Sequence, residues 1–485
     1  MHLYFSDIFD VPPKILDKYG AFNISLVTDL PLFIDPFLLF NSKKKEYRQL
    51  HDDIIKYLRF LKDKSTAGTV NAGLLKSWYH FSEVKENWLG FCVSGNTGRG
   101  LGKDFARALN ENLRNLFTDF GSESVTKGSH LEKLCLIKDG VGKDTISDFT
   151  TNLIKEFLLK YTETFAQKHI DKSLRREMAV ERVSFNYETE SWQPGVFDLP
   201  VYKNKYVLLS PKEILTKDET WINKPDFFRQ FDRIPEAIEN EQLRAQINNY
   251  FYSILPKDPT SKDEHKAAAS VALKFPELID YYIKYKEERG NDAVKKSFLD
   301  VNDSRMVYID QFGSLVNLLS QKSAFYSVPG NTTEEVLQRI EFLKDVVENK
   351  GGHKLFYNKG KPLAREKDIQ ILFKLTWRDT VSDVSREVND GRGPVDFKIA
   401  RGSKDKTLVE FKLAGNSGLS RNLQKQLEIY KKASDAKKGY KVIFYFSKQE
   451  LAKVQQTLKD LNMTDDPYVI LVDARKDNKP TGSKA

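Results

Sequence analysis

Two acidic residues and a lysine near the C-terminal end of the chain have types and a spacing that suit metal-dependent chemistry. Asp396 and Glu410 lie fourteen positions apart, and Lys412 follows Glu410 by two positions. Apolar and polar residues alternate over residues 395–399 and again over residues 408–413, which predicts two β-strands. The polar run Arg-Gly-Ser-Lys-Asp-Lys between these strands predicts a hairpin turn. The two acids therefore belong to neighbouring strands.

A turn centred near Ser403 places Asp396 directly opposite Glu410, with Lys412 pointing to the same side of the sheet. Like charges that face each other destabilise a sheet, and a cation between them removes the repulsion. Carboxylate oxygens are ligands that Mg²⁺ and Mn²⁺ prefer. The spacing therefore predicts a site for Mg²⁺ or Mn²⁺. The alternative is an ion pair between Glu410 and Lys412 on a solvated sheet face.

The same stretch resembles the PD-(D/E)xK nuclease superfamily, in the branch whose following helix carries a Gln-x-x-x-Tyr motif. The residues that carry the resemblance are Pro394-Val395-Asp396, then Glu410-Phe411-Lys412, and then Gln426 and Tyr430. Val395 separates the proline from the aspartate, whereas the family pattern has them adjacent, and the superfamily tolerates this variation. The resemblance covers residues 350–475.

The resemblance implies a restriction-endonuclease-like fold and a nuclease that depends on Mg²⁺ or Mn²⁺. Asp396, Glu410 and the backbone carbonyl of Phe411 are expected to hold the metal ion. Glu366 is expected to complete or polarise the metal shell. Lys412 is expected to orient or deprotonate the attacking water, or to stabilise charge on the phosphate, and the sequence leaves these roles open.

Glu366 is positioned by a predicted helix over Ala364–Trp377. Within this helix Glu366, Ile369, Gln370 and Phe373 share one face, so the carboxylate is aligned with an apolar stripe that packs toward the sheet. The alternative is a first-turn glutamate that is favoured only by the helix dipole.

A second predicted helix, from Ser420 to Lys432, is expected to contact nucleic acid. The resemblance implies that Gln426 and Tyr430 flank the metal site and touch the DNA backbone or order a water. Arg421 and Lys425, near the start of this helix, are candidate phosphate contacts. An ordinary core position is the alternative for Tyr430.

The charge distribution is compatible with a polyanionic substrate. The net charge is +9, and the stretch from Arg401 to Glu450 holds twelve Lys and Arg against five Asp and Glu. A nuclease must attract nucleic acid, and clustered cations provide that attraction. A solvated charged face is the alternative. DNA is the expected partner, and RNA is not excluded.

The chain of 485 residues is long enough for about two or three domains. We predict an α/β protein in which residues 1–255 form an α+β region that acts as a sensor, a scaffold or a DNA-gripping part. Residues 256–349 are predicted to form a mostly helical connector, and residues 350–485 the nuclease domain. Predicted strands at residues 441–447 and 468–473 complete a mixed sheet that is flanked by helices.

The sequence has no features of a secreted or membrane-spanning protein. The first residues lack the basic start and apolar core of a signal peptide. The most apolar segment, Leu30–Phe40, is interrupted by two prolines and an aspartate. Cys92 and Cys135 are the only two cysteines, and they predict neither a zinc site nor a disulfide framework. We expect a cytoplasmic protein.

These inferences combine into one expected function and one alternative. We expect a metal-dependent deoxyribonuclease, acting as an endonuclease, in bacterial antiphage defence or restriction. The N-terminal region is expected to restrain or direct it through substrate recognition, homo-oligomerisation or a partner protein. The alternative is a nucleic-acid-binding adaptor whose nuclease-like fold does not cleave.

Overall fold

Helices form most of the first part of the chain, and a mixed β-sheet forms the centre of the last part. The computed structural model describes residues 3–90, 103–115, 120–133, 136, 142–231, 233–322, 330–363, 365–377, 380–389, 394–402, 405–424, 436 and 438–479. The chain divides into two compact units. The first contains Met1–Ile24, Pro31–Phe91 and Arg99–Asn302, and the second contains Ser25–Leu30 and Asp303–Ala485.

The described α-helices follow one another along the chain, and we number those of four residues or more. They are α1 (Phe5–Ile8), α2 (Pro13–Tyr19), α3 (Pro36–Phe40), α4 (Lys45–Thr66), α5 (Lys103–Asn115), α6 (Lys143–Leu153), α7 (Lys155–His169), α8 (Lys224–Gln230), α9 (Glu241–Ile254), α10 (Ser261–Lys274), α11 (Glu277–Glu288), α12 (Gly290–Arg305), α13 (Phe312–Lys322), α14 (Thr332–Asn349), α15 (Glu366–Thr376) and α16 (Lys448–Asp460). Residues 419–424 are also helical.

Four β-sheets are present in the described part of the chain. Their strands are β1 (Leu32–Ile34), β2 (Arg175–Asn186), β3 (Ser191–Tyr202), β4 (Lys205–Tyr206), β5 (Leu215–Lys217), β6 (Tyr357–Asn358), β7 (Lys361–Pro362), β8 (Asp383–Asn389), β9 (Pro394–Arg401), β10 (Asp405–Leu413), β11 (Lys438–Tyr445) and β12 (Val469–Asp473). The largest sheet has five strands in the order β12-β11-β10-β9-β8. The predicted α/β class with a C-terminal mixed sheet is confirmed.

A long antiparallel hairpin is the main β-structure of the first unit. β2 and β3 pair along their length, with an irregularity between Val180 and Ser184. Apolar side chains of the hairpin, including Phe197 and Leu199, pack with Leu159 of α7 in a buried cluster. Helices and strands are thus combined in this unit, although helices account for most of it.

The hairpin of β9 and β10 has the register that the sequence predicts. Asp405 pairs with Arg401 and Val409 pairs with Phe397, so that the pattern continued by one residue sets Asp396 opposite Glu410. Gly402 lies at the turn with a φ of 71°, a left-handed conformation that glycine adopts without strain. β10 also pairs with β11 in parallel, and β11 pairs with β12 in parallel.

Three phenylalanine rings pack together on one face of the five-stranded sheet. The Phe373 ring of α15 lies 5.4 Å from Phe397 and 4.8 Å from Phe411, measured between centroids. α14 covers the same face. The Thr332 hydroxyl of α14 lies 2.9 Å from the hydroxyl of Thr407, and Thr407 points to the same side of β10 as Phe411 because the two residues are four positions apart. α14 therefore belongs to the same unit as the sheet. The predicted domain boundaries at residues 255 and 349 remain predictions.

α16 and the helical residues 419–424 cover the other face. Leu423, Ile443 and Val454 are members of one buried cluster there. Because side chains alternate along a strand, Glu410 and Lys412 point to this face while Phe411 points to the first. Among the described residues, no helix has the length and apolar character needed to cross a membrane.

Candidate active site

Asp396 and Glu410 are held side by side where the pairing of β9 and β10 ends. Their exposed fractions are only 7% and 4%. Glu410 Oε2 accepts a hydrogen bond from the backbone N–H of Asp396 at 3.2 Å. Asp396 Oδ2 accepts one from the backbone N–H of Phe411 at 2.6 Å. Each carboxylate is therefore bound to the backbone of the opposite strand, which fixes the two groups close together.

The protonation behaviour of these two acids reflects their burial. Burial raises the pKa of Asp396 well above its usual range, and the nearby Glu410 carboxylate raises it further. Burial also raises the pKa of Glu410, although the Lys412 ammonium and the Asp396 N–H act in the opposite direction. Two buried carboxylates of raised pKa are protonated more readily than exposed ones, and a cation bound next to them would also offset their negative charge.

Lys412 supplies part of that positive charge. Its Nζ lies 3.1 Å from Glu410 Oε1 and 3.3 Å from Glu366 Oε2. Burial lowers the pKa of Lys412, but the carboxylates of Asp396, Glu410 and Glu366 outweigh this effect and raise it above its usual value. The side chain is therefore an ammonium ion that can donate hydrogen bonds to a phosphate or a water. In this protonated form the amine has no lone pair, so it would have to lose its proton before it could act as a general base.

Glu366 is the first residue of α15 and reaches the end of β10. Its Oε1 accepts hydrogen bonds from the backbone N–H of Leu413 at 3.2 Å and from Asn416 Nδ2 at 2.9 Å. Its Oε2 pairs with Lys412. Glu366 thus uses both oxygens to connect the helix to the strand and the lysine, and its predicted role as a metal ligand remains a prediction.

Asn416 is a residue of this site that the sequence analysis did not find. Its Oδ1 accepts a hydrogen bond from the backbone N–H of Gly418 at 2.8 Å, and Lys453 Nζ donates to its backbone carbonyl at 2.8 Å. These contacts orient its amide toward Glu366. A Gly-Asn-Ser-Gly turn immediately after the Glu-x-Lys strand was the available signal, because Asn in a turn bonds to the backbone two residues on.

The donor set fits Mg²⁺ or Mn²⁺ in its chemistry. Within the described ranges, no group of three or more His, Cys, Asp or Glu side chains is arranged to hold a metal ion. Mg²⁺, however, is typically held by one or two carboxylates, with water and substrate phosphate completing the shell. Asp396 and Glu410 provide two such carboxylates, which the backbone of the opposite strands holds close together.

The remaining predicted contacts lie on the segment after β10. Arg421 is exposed on the helical residues 419–424, as a phosphate contact requires. Lys425, Gln426 and Tyr430 lie outside the described residues. The structure therefore brings together Glu366, Asp396, Glu410 and Lys412, which are spread over forty-six positions of the chain.

Two family models match the chain. One is a domain of unknown function (DUF8370), which matches residues 10–223. The other is a domain of unknown function (DUF8371), which matches residues 332–448 and thus includes α14 and the four clustered residues. No curated protein and no solved structure matches the chain. The matches support a division between an N-terminal and a C-terminal part and assign no activity to either.

Proposed function

We propose that the C-terminal part of the chain is a metal-dependent nuclease of the PD-(D/E)xK type, with a restriction-endonuclease-like fold, that hydrolyses phosphodiester bonds in DNA. The observation that carries the proposal is the buried pair of Asp396 and Glu410, which Lys412 joins to Glu366. Two adjacent buried acids destabilise the fold in which they occur, so a functional reason for them is expected. Phosphodiester hydrolysis with a divalent cation provides that reason.

Each residue has a role in this proposal. Asp396 and Glu410 would hold Mg²⁺ or Mn²⁺, with the carbonyl of Phe411 as a further oxygen ligand. The bound metal ion would lower the pKa of a coordinated water and offset charge on the phosphate. Lys412, as a buried ammonium ion, would donate a hydrogen bond to the phosphate where negative charge develops. Glu366 would keep the lysine in that orientation.

The decisive experiment measures cleavage by the purified full chain. Supercoiled plasmid, linear duplex, single-stranded DNA and RNA are each incubated with Mg²⁺, with Mn²⁺ and with EDTA. We expect metal-dependent conversion of supercoiled plasmid to nicked or linear DNA, which identifies an endonuclease. Cleavage of RNA alone would change the substrate class. Undiminished cleavage in EDTA would contradict the proposal, and binding without cleavage by any metal-loaded sample would favour the adaptor.

We also propose that the N-terminal region restrains or directs the nuclease, by recognising a substrate or by assembling with a second copy or a partner protein. The separate family match over residues 10–223 supports treating this region as a module of its own. A fragment of residues 303–485 retains α14 on the sheet and is the suitable comparison with the full chain. If the fragment and the full chain cleave all four substrates at equal rates and with equal selectivity, the proposed restraint by the N-terminal region is contradicted.

Bacterial antiphage defence or restriction is the biological setting that we propose. A nuclease that must spare the DNA of its own cell needs a trigger or a selective substrate, and phage infection can supply either. The test compares phage plating on cells that express the wild-type chain with cells that express Glu410→Gln. Equal plating would exclude a nuclease-dependent defence against the phages used.

A further inference from the structure

A groove at the end of the sheet where β11 finishes combines aromatic rings with lysines. It has a volume of about 520 Å³ and is lined by residues that include Tyr357, Phe446, Lys448, Lys476 and Asp477. These residues come from three places in the second unit, namely β6, the junction between β11 and α16, and the segment after β12. None of them has a role in the nuclease chemistry proposed above.

The groove and the candidate active site lie at the same edge of the sheet. β10 and β11 are parallel, so Lys412 and Phe446 both lie toward the C-terminal ends of their strands. Ligands of open α/β sheets commonly bind at this edge. α16 connects the two places, because its Glu450 accepts a hydrogen bond from the Phe446 N–H at 2.5 Å while its Lys453 donates to the carbonyl of Asn416 at 2.8 Å.

The groove has an excess of positive charge. Lys448 and Lys476 are both exposed, and Asp477 is the acidic residue in the described lining. Lys448 is the first residue of the thirteen-residue helix α16, whose N-terminal end carries a partial positive charge.

The aromatic rings of the groove are held in place. The Phe446 ring is half-buried and stands at 87° to the Tyr357 ring, with 5.5 Å between centroids. The Tyr357 hydroxyl donates to the carbonyl of Ala474 at 2.9 Å, and Lys476 Nζ lies 3.8 Å from the Tyr357 ring. Aromatic rings that are fixed beside cations are the combination with which proteins bind single-stranded nucleic acid, by stacking and phosphate contact.

We propose that this groove binds an unpaired nucleotide of the substrate strand, with its base against Phe446 and its phosphate against Lys448 and Lys476. The proposal rests on the proposed nuclease function and adds a preference for single-stranded or locally unpaired DNA. A base within a duplex is already stacked and paired, so it reaches an aromatic ring on the protein only after it is unpaired.

The test measures binding in EDTA, so that cleavage does not interfere. Fluorescence anisotropy of labelled single-stranded and duplex oligonucleotides is recorded for the full chain at several salt concentrations. We expect Phe446→Leu to weaken single-strand binding at least about fivefold and to leave duplex binding unchanged. Lys448→Gln and Lys476→Gln should each lower the slope of log affinity against log salt by about 0.7. The matched control is Lys459→Gln, an exposed lysine in the last turn of α16.

The outcomes separate this proposal from the proposed nuclease function. If the groove variants bind single strands like the wild type, or no worse than the control variant, the groove proposal is overturned even when metal-dependent cleavage is present. If the wild type cleaves nothing but the groove variants lose single-strand binding, the groove is supported and the nuclease proposal fails. Equal loss of duplex and single-strand affinity would also overturn the preference for unpaired DNA.

Discussion

Glu410 accepts a hydrogen bond from the backbone N–H of Asp396 at 3.2 Å, although the two buried side chains are both acidic. The reciprocal bond, from the Phe411 N–H to Asp396 Oδ2, is 2.6 Å long. These two backbone hydrogen bonds hold the two carboxylates close together despite their mutual repulsion. In the metal-free protein this repulsion lowers the free energy of unfolding, which can be measured.

We predict that Asp396→Asn stabilises the metal-free protein by about 1 kcal/mol, because it removes one of two opposed acids and keeps an oxygen for the Phe411 N–H. The same change should lower metal-dependent cleavage by more than about 100-fold. Thermal unfolding in EDTA and plasmid cleavage in Mg²⁺ measure the two effects. A lower unfolding temperature for the variant would show that the carboxylate stabilises the fold.

The stability of the metal-free protein should depend on pH through Asp396. Because its pKa is higher in the folded chain than in the unfolded one, the folded state binds more protons between the two values. The free energy of unfolding therefore falls as pH rises from about 3.8 through the raised value. Asp396→Asn should lack this contribution. Unfolding curves of both proteins in EDTA, recorded across this pH range, measure the difference.

Divalent metal binding should show the opposite dependence on pH. Mg²⁺ competes with protons for the two acids, so the gain in unfolding temperature on adding Mg²⁺ should be larger at about pH 8 than at about pH 6. Glu410→Gln should abolish most of this gain. A gain of equal size at both pH values would indicate that the metal ion binds elsewhere.

Lys412→Met should keep Mg²⁺ affinity and lower the cleavage rate about 100-fold or more, because the ammonium ion is expected to act on the phosphate. Calorimetric titration with Mg²⁺ and single-turnover cleavage measure the two quantities separately. The control is Lys438→Gln, because Lys438 is an exposed lysine at the N-terminal end of β11. Loss of Mg²⁺ affinity in Lys412→Met would mean that the lysine mainly holds the acids in place.

Asn416 should act through Glu366 as a positioning residue. Asn416→Ala removes the hydrogen bond to Glu366 Oε1 and should lower kcat about tenfold with little change in KM. Asn416→Asp keeps an oxygen for the Gly418 N–H but places a second carboxylate beside Glu366, so its kcat should be lower still. If Asn416→Ala and Asn416→Asp lower kcat equally, a negative charge at position 416 beside Glu366 has no effect on the rate.

The sequence by itself determined the hairpin and its register. Side chains alternate with a period of two, and a slip by one residue would move Phe397, Val409 and Phe411 out of the core. The same alternation set Asp396 opposite Glu410. The sequence does not predict β8. The buried Arg386 lies between Val384 and Val388 on one side of this strand, and it interrupts the apolar alternation that would indicate a strand.

Only the tertiary structure decided what surrounds the two acids. Glu366 meets Lys412 across forty-six positions and Asn416 across fifty, through the packing of α15 against the sheet. The groove at Phe446 likewise joins segments that are far apart in the chain. Local periodicity reports which face of a strand or helix is buried. It carries no information on which ends of separate elements meet, because that depends on how their buried faces pack together.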